Sequence, residues 1–440
     1  MALTGRHTYV GFGFGALQAG LFLYEAFRSG NFRRLLVAEI VPERVRELQR
    51  ADGFCSVNIA HLDRVETVRL GPIEAYNPAV PEDRERLVAA LADAEEIGTA
   101  IPSVNLYACG RPTSVSSVLA DGLAQKLRQG GPRAVVYTAE NHNAAAEMLE
   151  ELVLPEIPAL ERERVGGAVQ FLNTVIGKMS GFVPSGRAAA AGTQPLATVT
   201  PDSPSAFLVE AFNRILISRV RLAGFERGIQ VFTEKDDLLP FEEAKLFGHN
   251  ATHALAAYLA ALVGVKRMAD LRSVPGFVPF LRDAFLLESG EALVRKHHGL
   301  DPLFTADGYR EYANDLLERM TNPFLMDTVE RVGRDPARKL RWDDRLVGTM
   351  RLALEQGIQP RRYAVGAAAA MVALDARFLD PAIPVDTMTR QIWDGAHPGA
   401  PRVEALIESA RRFLCTWRAA GFPNIQGFFS EHTNEWREQP

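Results

Sequence analysis

Four side chains able to carry acid–base and hydrogen-bond chemistry fall within nine residues at Lys245, His249, Asn250 and His253, in the stretch KLFGHNATHALAAY that begins at Lys245. An amine holds or releases a proton, a carboxamide donates to an oxygen that is gaining charge, and an imidazole does either. The Ala/Leu run behind them, residues 254–262, is strongly helix-forming. On a helix advancing about 100° per residue, His249 stands about 40°, His253 about 80° and Asn250 about 140° from Lys245. One side of the helix then carries all four polar groups, and the rest suits a core. Buried polar groups are costly unless hydrogen-bonded, so the set predicts a cleft wall. The plainer alternative is a helix start with a few polar residues at its rim.

A second cluster, Arg331, Arg334, Arg338 and Lys339, puts four cations within nine residues. They repel one another unless an anion compensates, or unless Asp327, Glu330 and Asp335 in the same stretch pair with them.

The elements that must position these groups begin at the N-terminus. Tyr9 and Val10 end a short apolar strand that runs into Gly11, Gly13 and Gly15; Gln18 and Gly20 then open a helix, and a second strand, residues 34–38, ends in Glu39. Strand, glycine-rich turn, helix, strand and acid is the opening of a Rossmann-type dinucleotide-binding fold. Glycines let the backbone approach a pyrophosphate, whose charge the helix N-terminus favours. Glu39, 26 residues after Gly13 (39 − 13), is placed to accept from ribose hydroxyls and to favour NAD over NADP, although Arg44 and Arg46 lie near. The third glycine of the motif is missing in either register, and Gly13-x-Gly15 is the preferred pair. Further candidate cofactor contacts are Thr99 and Ala100, where a strand ends in small residues, Asn105 in the turn that follows, and Glu140 and Asn141 just past residues 134–138. Asn173 lies inside another strand-like run, residues 169–176, where a carboxamide needs a partner.

The chain has 440 residues, 47% of them hydrophobic and 23% charged, enough for two or three domains and a large core. A net charge of -5 gives no pull toward nucleic acid or an anionic membrane. Three widely spaced cysteines without a CxxC form no disulfide framework or zinc finger and fit a reducing cytoplasm. Neither a signal peptide nor an apolar run of eighteen residues is present, so a cytoplasmic location is expected. His249 and His253 have HxxxH spacing, but no HExxH glutamate or nearby third ligand accompanies them, so no metal is expected. Residues 181–204, rich in Gly, Pro, Ser and Thr, read as a loop between domains, and helical periodicity dominates afterwards. The expected architecture is α/β: a Rossmann-type NAD-binding domain over 1–204, then a mostly α-helical substrate domain over 205–440.

The pattern K-x4-N-x2-H over Lys245, Asn250 and His253 resembles the polyol-specific long-chain dehydrogenases. So do residues 95–100, Ala139-Glu140-Asn141, Phe171 to Val175, and most tellingly residues 322–340, which are closest to the sugar-phosphate members. The likeness runs to about Ala370 and is weak over the last 60 or so residues. Gly177-Lys178 stands where the family carries Asp-Arg. The resemblance implies metal-independent, NAD-linked oxidation of a secondary alcohol, with Lys245 as general base and Asn250 and Asn173 donating to the alkoxide. His253 then binds a hydroxyl or orients the lysine, with His249 beside it. A lysine at its ordinary pKa of about 10.4 is too protonated for this, so burial or neighbouring positive charge must lower it. By the same resemblance Arg331 and Lys339 contact substrate hydroxyls. Arg334, a histidine in members acting on free polyols, suits a phosphate with Arg338 alongside. Mannitol 1-phosphate and fructose 6-phosphate are the first substrate pair implied. Free polyols, sugar acids of the fructuronate or tagaturonate type, and a non-catalytic NAD-binding role are the alternatives. The expected partner is a small molecule, in a monomer or small homo-oligomer.

Overall fold

In the computed structural model, which describes residues 3–187, 195–212, 214–433 and 436, β1 (His7–Phe12) is buried along its whole length. A strand covered on both faces feeds two cores, because successive side chains point to opposite sides. Tyr9 joins one cluster with Phe22, Phe32, Tyr137 and Phe207, and Val10 joins the other with Leu87, Leu91, Leu123 and Val136.

β2 (Phe32–Ala38) and β6 (Glu96–Thr99) flank β1 in parallel. The sheet continues through β5 (Glu74–Tyr76) on one side, and through β7 (Ala134–Thr138) and β8 (Val169–Val175) on the other. The parallel order β5-β2-β1-β6-β7-β8 is that of the dinucleotide-binding fold, in which the strand order reverses between β1 and β6. β11 (Leu216–Ser218), antiparallel to β8, and β12 (Thr233–Lys235) extend the sheet to eight strands among the described residues. A second sheet has the order β4-β3-β10-β9, formed by β3 (Cys55–Ala60), β4 (Val65–Leu70), β9 (Ser180–Pro184) and β10 (Ser205–Glu210).

β9 falls inside the stretch expected to be loop, and residues 188–194 of that stretch lie outside the described residues. Because β10, β11 and β12 pair into the N-terminal sheets, the chain divides into two compact units at Met1–Leu239 and Pro240–Pro440, later than the expected 204/205 boundary.

The second unit is helical. The Ala-rich helix Ala251–Leu262 packs on Arg361–Leu374, which in turn packs on Ala400–Ala419. Ala254, Ala256, Ala257 and Ala260 on the first helix and Ala367 to Ala370 on the second are all buried, small residues that let two helix axes approach closely. Among the described residues no helix is long and apolar enough to cross a membrane.

Candidate active site

The first unit gathers its candidate residues at the C-terminal ends of β1, β2 and β6. Gly13 has φ +84, a left-handed conformation that glycine adopts without strain, and a Cβ there would stand 2.9 Å from the Ala100 carbonyl oxygen. Its N–H donates to the Ala38 carbonyl at 2.8 Å. Glu39, 4% exposed, fastens the turn: one carboxylate oxygen accepts from the Phe14 N–H at 2.9 Å and the other from the Val41 N–H at 2.8 Å. A carboxylate has about four acceptor positions, so about half of this one's capacity remains. Arg44 lies 3.6 Å from the same oxygen that Phe14 reaches, and stacks over the Phe182 ring; Arg46 instead pairs with Glu43. A cavity of about 160 Å³ opens here, lined by Phe14, Arg44, Glu47, Phe182, Ser203 and Phe207. A larger cavity of about 510 Å³, lined by Arg6, His7, Glu226 and Arg227, lies at the opposite end of β1, away from these residues.

The helix begins at Ala16, and its turns over Gln18–Leu23 are π-helical. Gly20 takes the close-packing role of the missing third glycine, since a Cβ there would stand 2.4 Å from Val209 on β10. Gln18 departs from its expected cofactor contact: it is fully buried and its amide donates to the Tyr9 hydroxyl at 2.7 Å, which draws the side chain into the core.

Glu140 also acts differently from a direct contact. Its carboxylate accepts from the Thr99 hydroxyl at 2.8 Å, the Ile101 N–H at 2.9 Å and the Tyr107 hydroxyl. Thr99 and Glu140 are both buried, so together they hold the loop after β6 in place. Asn105 and Asn141 are exposed. Asn173 has the partners its position in a strand requires: Oδ1 accepts from the Ala146 N–H at 2.9 Å and Nδ2 donates to Glu147 at 2.7 Å. One Nδ2 proton remains for another acceptor.

In the second unit, one unbroken helical run carries the lysine. Leu239–Glu243 is α-helical, Ala244–Asn250 is π-helical, and Ala251–Leu262 is α-helical again. The wheel angles expected for a regular helix therefore do not hold across Lys245, His249 and Asn250, because a π turn closes i→i+5. Lys245 is also not at a helix N-terminus, since the run starts at Leu239. It is partly buried, and burial pulls its pKa down to about 8; Glu242 opposes the shift and Arg345 adds to it.

His249 is buried, and burial, followed by the charge of Arg319, puts its pKa well below the ordinary value. His253 is lowered to about 4, again mainly by burial, with Asp327 opposing. Its Nε2 lies 3.7 Å from Asp327 and has no hydrogen-bond partner among the described residues. Both imidazoles are therefore neutral at pH 7, and His253 presents an uncommitted nitrogen.

The cationic cluster divides. Arg331 is held by a two-pronged pair to Asp327 at 2.6 and 2.7 Å, and Arg338 lies 3.0 Å from Asp335. Lys339 is buried: its ammonium donates to the Val332 carbonyl at 2.6 Å and to the Arg334 carbonyl, and lies over the Tyr258 ring. Burial and the charges of Arg345 and Arg338 lower its pKa to about 8. Two of its three N–H groups thus organise the loop after Val329–Gly333, where a direct hydroxyl contact was expected. Arg334 is exposed, and its side chain has no ion pair among the described residues. Internal pairing accounts for three of the four cations and leaves this one.

The sequence reading missed Arg319 and Arg345, whose charges act on His249 and on both His249 and Lys245 respectively. Each reads in the sequence as an ordinary helix charge. Among the described residues, no three His, Cys, Asp or Glu side chains gather as a metal site.

Residues 237–414 match the mannitol dehydrogenase C-terminal domain family, which carries the likeness past Ala370. The chain is 28% identical over 358 residues to a mannitol-1-phosphate 5-dehydrogenase of Bacillus licheniformis, covering 81% of this chain and 86% of that one. In fold it is similar to the mannitol 2-dehydrogenase of Pseudomonas fluorescens, solved as a ternary complex with NAD and D-mannitol. That match has a TM-score of 0.71 and 18% identity over 99% of this chain and 96% of the other. A D-sorbitol dehydrogenase gives a TM-score of 0.72 and 14% identity, with 93% of each chain covered. The helical unit thus carries the match to the mannitol dehydrogenase C-terminal domain, and most of the chain is similar to a mannitol-1-phosphate 5-dehydrogenase.

Proposed function

We propose that this protein catalyses the NAD-linked, reversible oxidation of a polyol phosphate to a ketose phosphate, with Lys245 as the general base. The observation that carries the reading is Lys245 itself: an amine whose pKa is lowered to about 8, in a π turn beside Asn250 and ahead of a neutral, uncommitted His253. A base works best with a pKa near the working pH, and an unshifted lysine fails that condition.

The first unit's residues fit a dinucleotide. Gly13 keeps the turn low against Ala100, and the half-used Glu39 carboxylate can accept from a ribose diol. NAD supplies the hydride acceptor. In oxidation the neutral Lys245 Nζ takes the proton of the reacting hydroxyl, and in reduction the ammonium returns it. Asn250 donates to the oxygen as it gains charge. His253 Nε2 pairs with a neighbouring substrate hydroxyl. Arg334, whose side chain has no ion pair among the described residues, takes the phosphate.

NADH consumption with a panel of ketose phosphates, the same ketoses unphosphorylated, and keto sugar acids tests the reading. Turnover concentrated on a ketose phosphate is the expected result; preference for a free ketose or a sugar acid overturns the phosphate assignment. Charge-assisted hydrogen bonds contribute on the order of 1.5–3 kcal/mol each. At about 1.4 kcal/mol per factor of ten, Arg334→Ala should raise KM for the ketose phosphate by roughly 10- to 100-fold. KM for NADH should hold. Equal losses on phosphorylated and unphosphorylated ketose would remove Arg334 from phosphate recognition.

A further inference from the structure

Arg345 stands just ahead of the helix Val347–Glu355, and its side chain is 12% exposed. Its Nε donates to Asp344 at 2.8 Å, and its own backbone N–H donates to the same oxygen. The two terminal nitrogens of the guanidinium have no partner among the described residues. The end of a planar, permanently charged fork is thus left open in a largely desolvated position.

Where the fork sits follows from how the helix is fastened. Thr349 donates its hydroxyl to the Phe247 carbonyl at 3.1 Å. At Gly348 a Cβ would stand 2.7 Å from the Phe247 ring, so the Gly348 backbone packs directly against that ring. Phe247 lies in the π turn between Lys245 and His249. Residues 345–349 are therefore clamped onto the turn that carries the base. The charge of Arg345 accordingly acts on Lys245, His249, His253 and Lys339, whose pKa values it helps to lower, and on Tyr258, where it opposes the rise caused by burial.

Around this point stand Arg331, Lys339, Lys245 and Arg345, with Asp327 engaged by Arg331, Asp344 engaged by Arg345 itself, and Glu242 and Asp335 acting on Lys245 and Lys339 respectively. A guanidinium that is nearly buried and half-paired is costly to leave open, and a substrate oxyanion with two oxygens in its plane relieves that cost.

We propose that Arg345 is the buried anion-binding residue of the substrate site, accepting the phosphate of the substrate on Nη1 and Nη2, with Arg334 as a second, solvent-facing cation. This deepens the polyol-phosphate reading and rests on it for the identity of the anion. Because Arg345 is mostly removed from water and Arg334 is exposed, the larger share of phosphate discrimination should come from Arg345.

The test compares wild type, Arg345→Gln and Arg345→Lys on a ketose phosphate and on the same unphosphorylated ketose. NADH binding by fluorescence serves as the check on folding. The quantity read is the ratio of kcat/KM between the two sugars. Losing the Arg345 charge also lets Lys245 regain protons, but that alters the rate on both sugars alike and cancels in the ratio. The ratio is expected to fall about 100-fold in Arg345→Gln, with part of it restored in Arg345→Lys, which keeps the charge but loses the fork. An unchanged ratio in Arg345→Gln with NADH binding intact overturns the assignment. If wild type itself prefers an unphosphorylated sugar, the polyol-phosphate reading fails, and Arg345 is judged separately with inorganic phosphate. Protection of the wild type against thermal unfolding by inorganic phosphate, lost in Arg345→Gln, then supports Arg345 as the anion ligand. Protection that survives the substitution, or that is absent in wild type, overturns it.

Discussion

Lys245→Ala is expected to lower kcat by about 100- to 10,000-fold, the range typical for removing a general acid–base, while NADH binding stays near wild type. Burial is the main cause of the lowered Lys245 pKa, and Arg345 adds to it. The same shift fixes the sign of the pH dependence. Oxidation needs the neutral amine, so its rate should rise with pH through a midpoint near 8. Reduction needs the ammonium and should fall over the same interval. The opposed limbs are the signature of one group read from two directions. Retention of more than half the wild-type kcat in Lys245→Ala would remove the lysine from the mechanism. Limbs of the same sign in both directions would assign the titration to another group.

The second large effect is expected at Glu39. In Glu39→Ala, kcat/KM with NAD should fall about 100-fold or more, because two charge-assisted hydrogen bonds to the ribose diol are lost. With NADP it should rise. Arg44, 3.6 Å from the carboxylate in the wild type, is released by the substitution and can pair with a 2′-phosphate. Glu39 also holds the Phe14 N–H at the head of the glycine turn. The NAD loss therefore combines ribose recognition with a loosened turn, and Glu39→Gln separates the two because a carboxamide oxygen can keep the Phe14 bond. Equal kcat/KM for NAD and NADP in the wild type would mean that Glu39 does not face the ribose.

The parts of this protein that follow a local rule were legible in its sequence. A strand, a glycine turn and an acid at the right interval specify the opening of the parallel sheet, and an Ala/Leu run specifies the helix behind Lys245. What stayed hidden depends on contacts between distant residues. Gln18 faces the core because Tyr9, on the neighbouring strand, supplies a hydroxyl for its amide. Glu140 braces a loop because Thr99, Ile101 and Tyr107 converge on it. Lys339 was expected to reach substrate hydroxyls, and two carbonyls of the preceding turn take two of its protons instead. Arg345 reads as an ordinary charge at a helix start, and only the clamp of Gly348 and Thr349 on Phe247 brings it to the turn that carries Lys245. The domain boundary was misplaced for the same kind of reason: three strands after residue 204 pair backward with earlier ones.

The π turn at Ala244–Asn250 bears on how this site tolerates change in chain length. A loop of helix closed i→i+5 holds one residue more than its regular counterpart. Exchanging side chains leaves that surplus in place, but losing any single residue from 246 to 249 lets the helix close regularly and swings Lys245 about 100° away from His253. The geometry of the turn is thus robust to substitution and fragile to deletion. A one-residue deletion there should yield a well-folded, more regular helix that no longer aims its amine, so that conformational order and catalytic competence part company within a single turn.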